Sequence, residues 1–145
     1  MTCRPARVGW AAAAAAPALA WAVAHLTAPA VRTWQPGGGG ITRAGPLSVR
    51  RLGGGHRVVL LLHGLLSSQA QFGNAYDRVA ETSTVVAPDL LGFGASLDEH
   101  RDDLGLDAHL DALDAALSAL DLKGRPTIVA GHSLGSLLAL HWASR

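Results

Sequence analysis

A serine hydroxyl does nucleophilic chemistry when a turn exposes it and hydrogen-bond donors stand ready for the oxyanion that its attack creates. Gly131-His132-Ser133-Leu134-Gly135 has the residue types and spacing for both. The apolar run Thr127-Ile128-Val129-Ala130 leads in, and Leu134-Gly135-Ser136-Leu137-Leu138-Ala139-Leu140 leads out. In that strand–turn–helix setting, reversing the chain within a few residues holds Ser133 in a strained conformation with its Oγ exposed. Gly131 and Gly135, two positions either side, remove side chains that would clash across the turn. The start of the following helix adds positive potential where an oxyanion would form. The five-residue pattern is weak alone, and the flanking apolar runs give it a mechanical meaning. The competing explanation is a glycine-rich turn with an idle serine.

The elements that must position this turn can be read from periodicity. Leu47–Leu52 reads as a short strand and Gly53-Gly54-Gly55 as a turn. Arg57–Leu62 is a continuous apolar run, as expected for a strand buried on both faces, and His63-Gly64 ends it. Residues 71–81 read as a helix. Thr84–Ala87 reads as a second buried strand closed by Pro88-Asp89, and Thr127–Ala130 as a third. Leu106, Leu110, Leu113, Leu117 and Leu120 recur at spacings of 4, 3, 4 and 3, one stripe of a helix. Asp107, Asp111 and Asp114 fall largely away from it, which reads as a solvated face. Leu134–Ala143 reads as the last helix. Strands alternating with helices at this spacing predict an α/β fold, a mostly parallel sheet with helices on both faces.

Composition sets the outer limits. The chain has 145 residues, 49% hydrophobic and 16% charged, which excludes disorder for most of it. The net charge of +1 gives no argument for nucleic-acid binding. The single cysteine, Cys3, excludes an internal disulfide and a cysteine-based zinc site. No metal and no cofactor is expected. From Val8 to Val31 the chain carries no Asp, Glu, Lys or Arg, while Arg4, Arg7 and Arg32 flank the stretch. Residues 1–34 therefore read as an export signal or a membrane anchor, against an alanine-rich extension with no address function. Location follows: exported or membrane-anchored, or cytoplasmic if the segment is not a targeting signal. Residues 35–45, with glycine at 37 to 40, read as a flexible linker. Residues 46–145 are then the α/β domain.

Three landmarks in order resemble the α/β-hydrolase fold superfamily. His63-Gly64-Leu65 follows the first strongly apolar strand. Asp89-Leu90-Leu91-Gly92-Phe93-Gly94-Ala95-Ser96 follows the second, and the elbow around Ser133 follows the third. The resemblance covers residues 47 to 145 and implies roles residue by residue. Ser133 is expected as nucleophile, with the backbone N–H groups of Leu65 and Leu134 as oxyanion hole. His63 and Gly64 are expected to position the oxyanion loop, Asp89, Gly92 and Gly94 to shape a structural turn, and Gly131 and Gly135 to clear the elbow. Relatives that dehalogenate or open epoxides use an aspartate at the elbow, so serine implies acyl transfer to water through an acyl-enzyme. The implied substrates are small esters, thioesters or lactones.

A serine nucleophile needs a base oriented by an acid, and in this superfamily both follow it in the chain. After Ser133 there is no Asp or Glu, and the only histidine is His141. His141 lies eight residues along a helix, about 12 Å of rise. His132 leaves the turn in another direction, and His25, His56, His100 and His109 carry no motif. The sequence therefore names no base. The resemblance implies an N-terminal half of the fold, about five of eight strands, with acid, base and lid beyond it. It also implies that Thr127–Ala130, without a further neighbour, is an exposed apolar edge, so poor solubility and little or no esterase turnover are expected. Two alternatives stay open: a non-catalytic, membrane-associated binding module of the same fold, and a membrane-tethered chain whose site a partner completes.

Overall fold

The computed structural model describes residues 34–145, and Gln35–Arg145 form one compact unit. Five strands make one sheet: β1 Gly40–Ala44, β2 Leu47–Leu52, β3 Val58–Leu62, β4 Thr84–Pro88 and β5 Thr127–Gly131, in the spatial order β1-β2-β4-β3-β5. β3 pairs in parallel with β4 and β5, whereas β1–β2 and β2–β4 are antiparallel. β3 lies between two parallel neighbours, and all five of its residues, Val-Val-Leu-Leu-Leu, are buried. That is what an unbroken apolar run predicts for a strand covered on both faces.

One face carries the two long helices, α1 Leu106–Ala119 and α2 Leu134–Ala143. Leu110, Leu113 and Leu117 of α1 and Leu138 of α2 pack with Leu60, Leu62 and Val86 of the sheet. The expected stripe of α1 is therefore buried at its centre, while Leu106 at its start is 41% exposed. The acidic side of α1 is solvated but not idle. Arg145 reaches Asp107 at 3.1 Å and Asp111 at 2.7 Å, and Trp142 Nε1 donates to Asp114 at 2.9 Å.

The other face is covered by short 3-10 turns, Gln69–Phe72 and Asp77–Glu81, where the sequence predicts one helix over 71–81. Gly73, at φ +48°, ends the first turn and breaks what would have been a continuous helix. Phe72, Tyr76 and Val79 still reach Val59, Leu61, Val85 and Ala87, so the second face of the sheet is filled.

The linker expected at 35–45 is corrected in its second half. Gly40–Ala44 pairs along its whole length with β2, through a two-residue hairpin loop at Gly45 (φ +55°) and Pro46. The preceding glycines lie over Arg50, a buried guanidinium on β2. Arg50 Nη1 donates to the Gly73 carbonyl at 2.9 Å and lies 3.9 Å from Asp77, which accepts the Gly38 N–H at 2.8 Å. A Cβ at Gly37 would overlap the Arg50 guanidinium. Close approach to a buried charge, rather than freedom to move, accounts for this glycine.

The third strand is the exposed edge that the resemblance implies, not the strand buried on both faces that its apolar run alone suggests. β5 is exposed along much of its length, with Ile128 at 52%, because it has a neighbour on one side only. Among the described residues no helix is long and apolar enough to cross a membrane. The segment 1–34, read as signal or anchor, lies outside the described residues except for Trp34.

Candidate active site

β5 runs in register with β3 until Gly131 faces Leu62. His132 N–H then donates to the Leu62 carbonyl at 3.0 Å, and the chain turns at Ser133 with φ +52° and ψ −115°. A non-glycine residue held there costs on the order of 1–3 kcal/mol and is kept by the surrounding structure. That structure is tight. A Cβ at Gly131 would run into the Gly135 carbonyl, and one at Gly135 into the Leu62 carbonyl. Ser136 Oγ donates back to the Gly131 carbonyl at 2.7 Å and clamps the turn. Leu134 is the first residue of α2, so its N–H has no carbonyl one turn back within the helix to bond.

The loop after β3 arrives at the same point. A Cβ at Gly64 would lie 2.8 Å from His132 Nδ1 and 3.3 Å from Ser133 Cβ. Any side chain at 64 would push this loop off the elbow, so glycine sets how near Leu65 comes to Ser133. Among the described residues no hydrogen bond engages the Leu65 N–H. The fold thus brings together Gly64-Leu65 and Ser133-Leu134, 68 residues apart in sequence.

His63 holds this loop from below. It is fully buried, its Nε2 accepts the Leu90 N–H at 3.0 Å, and its Nδ1 lies 2.7 Å from the Gly64 carbonyl. A backbone N–H can only donate, so Nε2 is the bare nitrogen and Nδ1 carries the proton that Gly64 accepts. Burial lowers the pKa of the ring, against smaller opposing effects of the Gly64 carbonyl and Asp89. Both nitrogens are occupied, so His63 positions the loop and has no lone pair to offer a substrate. The Phe93 ring meets it edge-on at 5.7 Å.

Asp89 ties the turn after β4. Its Oδ1 accepts the Gln69 N–H at 2.7 Å and its Oδ2 the Ala95 N–H at 2.9 Å. Gly94, at φ +52°, lies so close to that carboxylate that a Cβ would contact Oδ2 at 2.5 Å. Gly92, at φ +78°, allows the same turn to pass Leu104. Asp89 is nearly buried with both oxygens bonded, and it works as a brace.

A cavity of about 490 Å³ opens beside the elbow, bounded by Leu65, Phe93, Leu104, Leu134 and Leu138. Its size falls within the roughly 300–1,000 Å³ of small-molecule pockets, and its lining is mainly apolar. A separate hollow of about 550 Å³ beside β5, among Leu122, Arg125, Thr127 and Trp142, touches no residue of the elbow.

His109 also lines the elbow cavity, and sequence reasoning missed it. It is 5% exposed and neither ring nitrogen has a partner. Burial lowers its pKa, opposed by smaller effects of the Gly105 carbonyl and Asp103. A signal was available. Position 109 is three residues after Leu106 and four before Leu113, on the buried side of α1, where an unpaired imidazole calls for an explanation. Among the described residues no three His, Cys, Asp or Glu side chains group as metal ligands.

Comparison with known proteins agrees with this geometry. A model of the alpha/beta hydrolase family matches residues 59–145. An uncharacterized protein of Mycobacterium tuberculosis is 39% identical over 93 residues, 64% of this chain and 26% of that protein. A haloalkane dehalogenase of Mesorhizobium japonicum is 38% identical over 87 residues, 60% of this chain and 27% of the relative. Among solved structures, an epoxide hydrolase from an endophytic Streptomyces superposes with a TM-score of 0.63 at 25% identity, over 72% of this chain and 32% of its own. The chain spans about a quarter of the length of the curated relatives it matches.

Proposed function

The chain belongs to the alpha/beta hydrolase family, and from that premise we propose that Ser133 is the nucleophile of a hydrolase acting on ester-type bonds. The observation that carries this is the Ser133 backbone, held at φ +52° between two glycines with no room for side chains, against the Gly64-Leu65 loop. The relatives named above include a dehalogenase and an epoxide hydrolase, so hydrolysis is the shared chemistry. A serine in place of an aspartate at the elbow favours acyl transfer.

In the proposed reaction Ser133 Oγ attacks the carbonyl carbon of an ester, thioester or lactone. The Leu65 and Leu134 N–H groups receive the oxyanion, worth several kcal/mol where such donors are preorganised, about 3 per donor. Collapse of the tetrahedral intermediate breaks the bond to the leaving group, which takes the Oγ proton by way of water and departs as the alcohol or thiol. The acyl-serine that remains is cleaved by water to the acid. Among the described residues no hydrogen bond joins Ser133 Oγ to an imidazole that could take its proton. His63 has both nitrogens engaged, His132 Nδ1 faces Gly64, and the His109 nitrogens are covered. Acylation without appreciable turnover is therefore expected of these 145 residues.

The test is intact-mass analysis and peptide mapping after exposure to p-nitrophenyl butyrate. One butyryl group on Ser133, absent from Ser133→Ala, supports the proposal. Equal labelling of the two proteins sinks it. The alternative reading is a binding module that keeps the fold without catalysis. It predicts no acyl-serine at all.

A further inference from the structure

The lining of the cavity beside the elbow is apolar apart from two histidines, the buried His109 and the exposed His141. Neither ring nitrogen of His109 is bonded and neither is exposed, so the ring lines the cavity with carbon rather than nitrogen. A half-turn of the imidazole about its Cβ–Cγ bond exchanges the carbon and nitrogen edges while keeping the ring in the same volume. The nitrogen edge then faces the cavity. Little is lost on the other side, because the Gly105 carbonyl acts only weakly on the ring and neither nitrogen makes a well-formed hydrogen bond. His63 differs here, since turning its ring would break two bonds at once.

A neutral imidazole offers one donor and one acceptor, and a hydroxyl is the smallest group that can satisfy either. We propose that His109 is a specificity-determining residue, which reads a hydroxyl on the otherwise apolar tail of a ligand held in this cavity. The cavity then takes a hydroxylated hydrocarbon chain or ring in preference to a plain one. The discrimination resides in His109, because the other polar side chain of the lining, His141, is exposed and has water for a partner, and the remaining walls are leucine, phenylalanine and glycine. A site that hydrogen-bonds a hydroxyl rejects the analogue lacking it, because the protein group is otherwise left unpaired. This inference rests on the proposed role of Ser133 only in calling the occupant a substrate tail. The recognition itself does not need the nucleophile.

Benzyl alcohol and ethylbenzene test it, since they differ only by a hydroxyl in place of a methyl group. Both are titrated into the 145-residue protein carrying 15N-histidine, with ring nitrogen shifts and dissociation constants read by NMR. Benzyl alcohol is expected to move the His109 ring nitrogens, and ethylbenzene to leave them nearly unchanged. The affinity ratio of benzyl alcohol to ethylbenzene should fall about fivefold or more in His109→Phe, in line with one lost hydrogen bond. It should return in part in His109→Gln, which keeps a donor and an acceptor. Benzyl alcohol binding with unmoved His109 nitrogens overturns the proposal, as does an unchanged ratio in both variants or no binding of benzyl alcohol. Should His109→Phe not fold, the ring shifts of the unsubstituted protein decide. Acylation of Ser133 is a separate readout. Its loss with cavity binding intact sinks the nucleophile alone, and the converse sinks this inference alone.

Discussion

His63 and His109 are both buried near the elbow, the first beneath the loop and the second in the cavity wall, both lowered in pKa by desolvation, and they differ in how their ring nitrogens are satisfied. His63 spends its donor on the Gly64 carbonyl and its acceptor on the Leu90 N–H, welding the loop after β3 to the turn after β4. Among the described residues neither ring nitrogen of His109 makes a well-formed hydrogen bond. Burial alone therefore does not distinguish scaffold from recognition. What distinguishes them is whether the polar atoms are already satisfied. A satisfied buried ring is a fixed part of the framework, whereas an unsatisfied one stores a cost that a ligand can relieve.

The comparison is broken most severely at Gly135, whose missing Cβ leaves room for the Leu62 and His63 carbonyls beneath the elbow. Gly135→Ala should push the His63 shelf and the Ser133 turn apart and destabilise by about 3 kcal/mol or more, measured by urea unfolding. His63→Leu comes next. It strands a buried N–H on Leu90 and a carbonyl on Gly64, and the same unfolding experiment should show a loss of about 2–3 kcal/mol. His109→Leu should go the other way. Removing two unsatisfied nitrogens and filling the volume with apolar atoms should leave stability unchanged or raise it by up to about 1 kcal/mol. A loss comparable to that of His63→Leu would mean that the two rings are not opposites.

The smallest effect is in pH. Each ring has a folded pKa below its value of 6.5 in the open chain. The unfolded chain therefore binds more protons in the window below about 6.5. Stability is fully present above that value and falls as pH drops through 6.5 toward the folded pKa. Urea midpoints between pH 7.5 and 5.5 should show the fall, and His109→Leu should remove its share while leaving that of His63. A pH dependence that His109→Leu leaves untouched would assign the whole effect to His63.

Much of the site could be read before any coordinates. Gly131, Ser133 and Gly135 could be read because a strand-to-helix reversal admits few residue types, and each of those types is conspicuous. Three strands and both long helices could be read because apolar runs and leucine stripes reflect burial directly. The errors share one cause, which is that a neighbour decided the matter. Gly40–Ala44 looks like linker and becomes strand because β2 offers it an edge. Residues 71–81 look helical and are split because Gly73 takes a positive φ. Thr127–Ala130 reads as buried by its apolar run alone, but its place at the sheet edge, expected from the resemblance, leaves it half-open beside β3.

The sequence by itself determined the chemistry on offer: a serine in a glycine-flanked turn and a His-Gly loop after an apolar strand. These are local facts, fixed by residue type and spacing. Only the tertiary structure decided which groups share a site. It put Gly64 against Ser133, gave His63 two partners and gave His109 none. Hydrogen bonds between distant segments depend on where the sheet and helices place them, and a lone histidine in a leucine-rich helix carries no mark of whether a partner will be there.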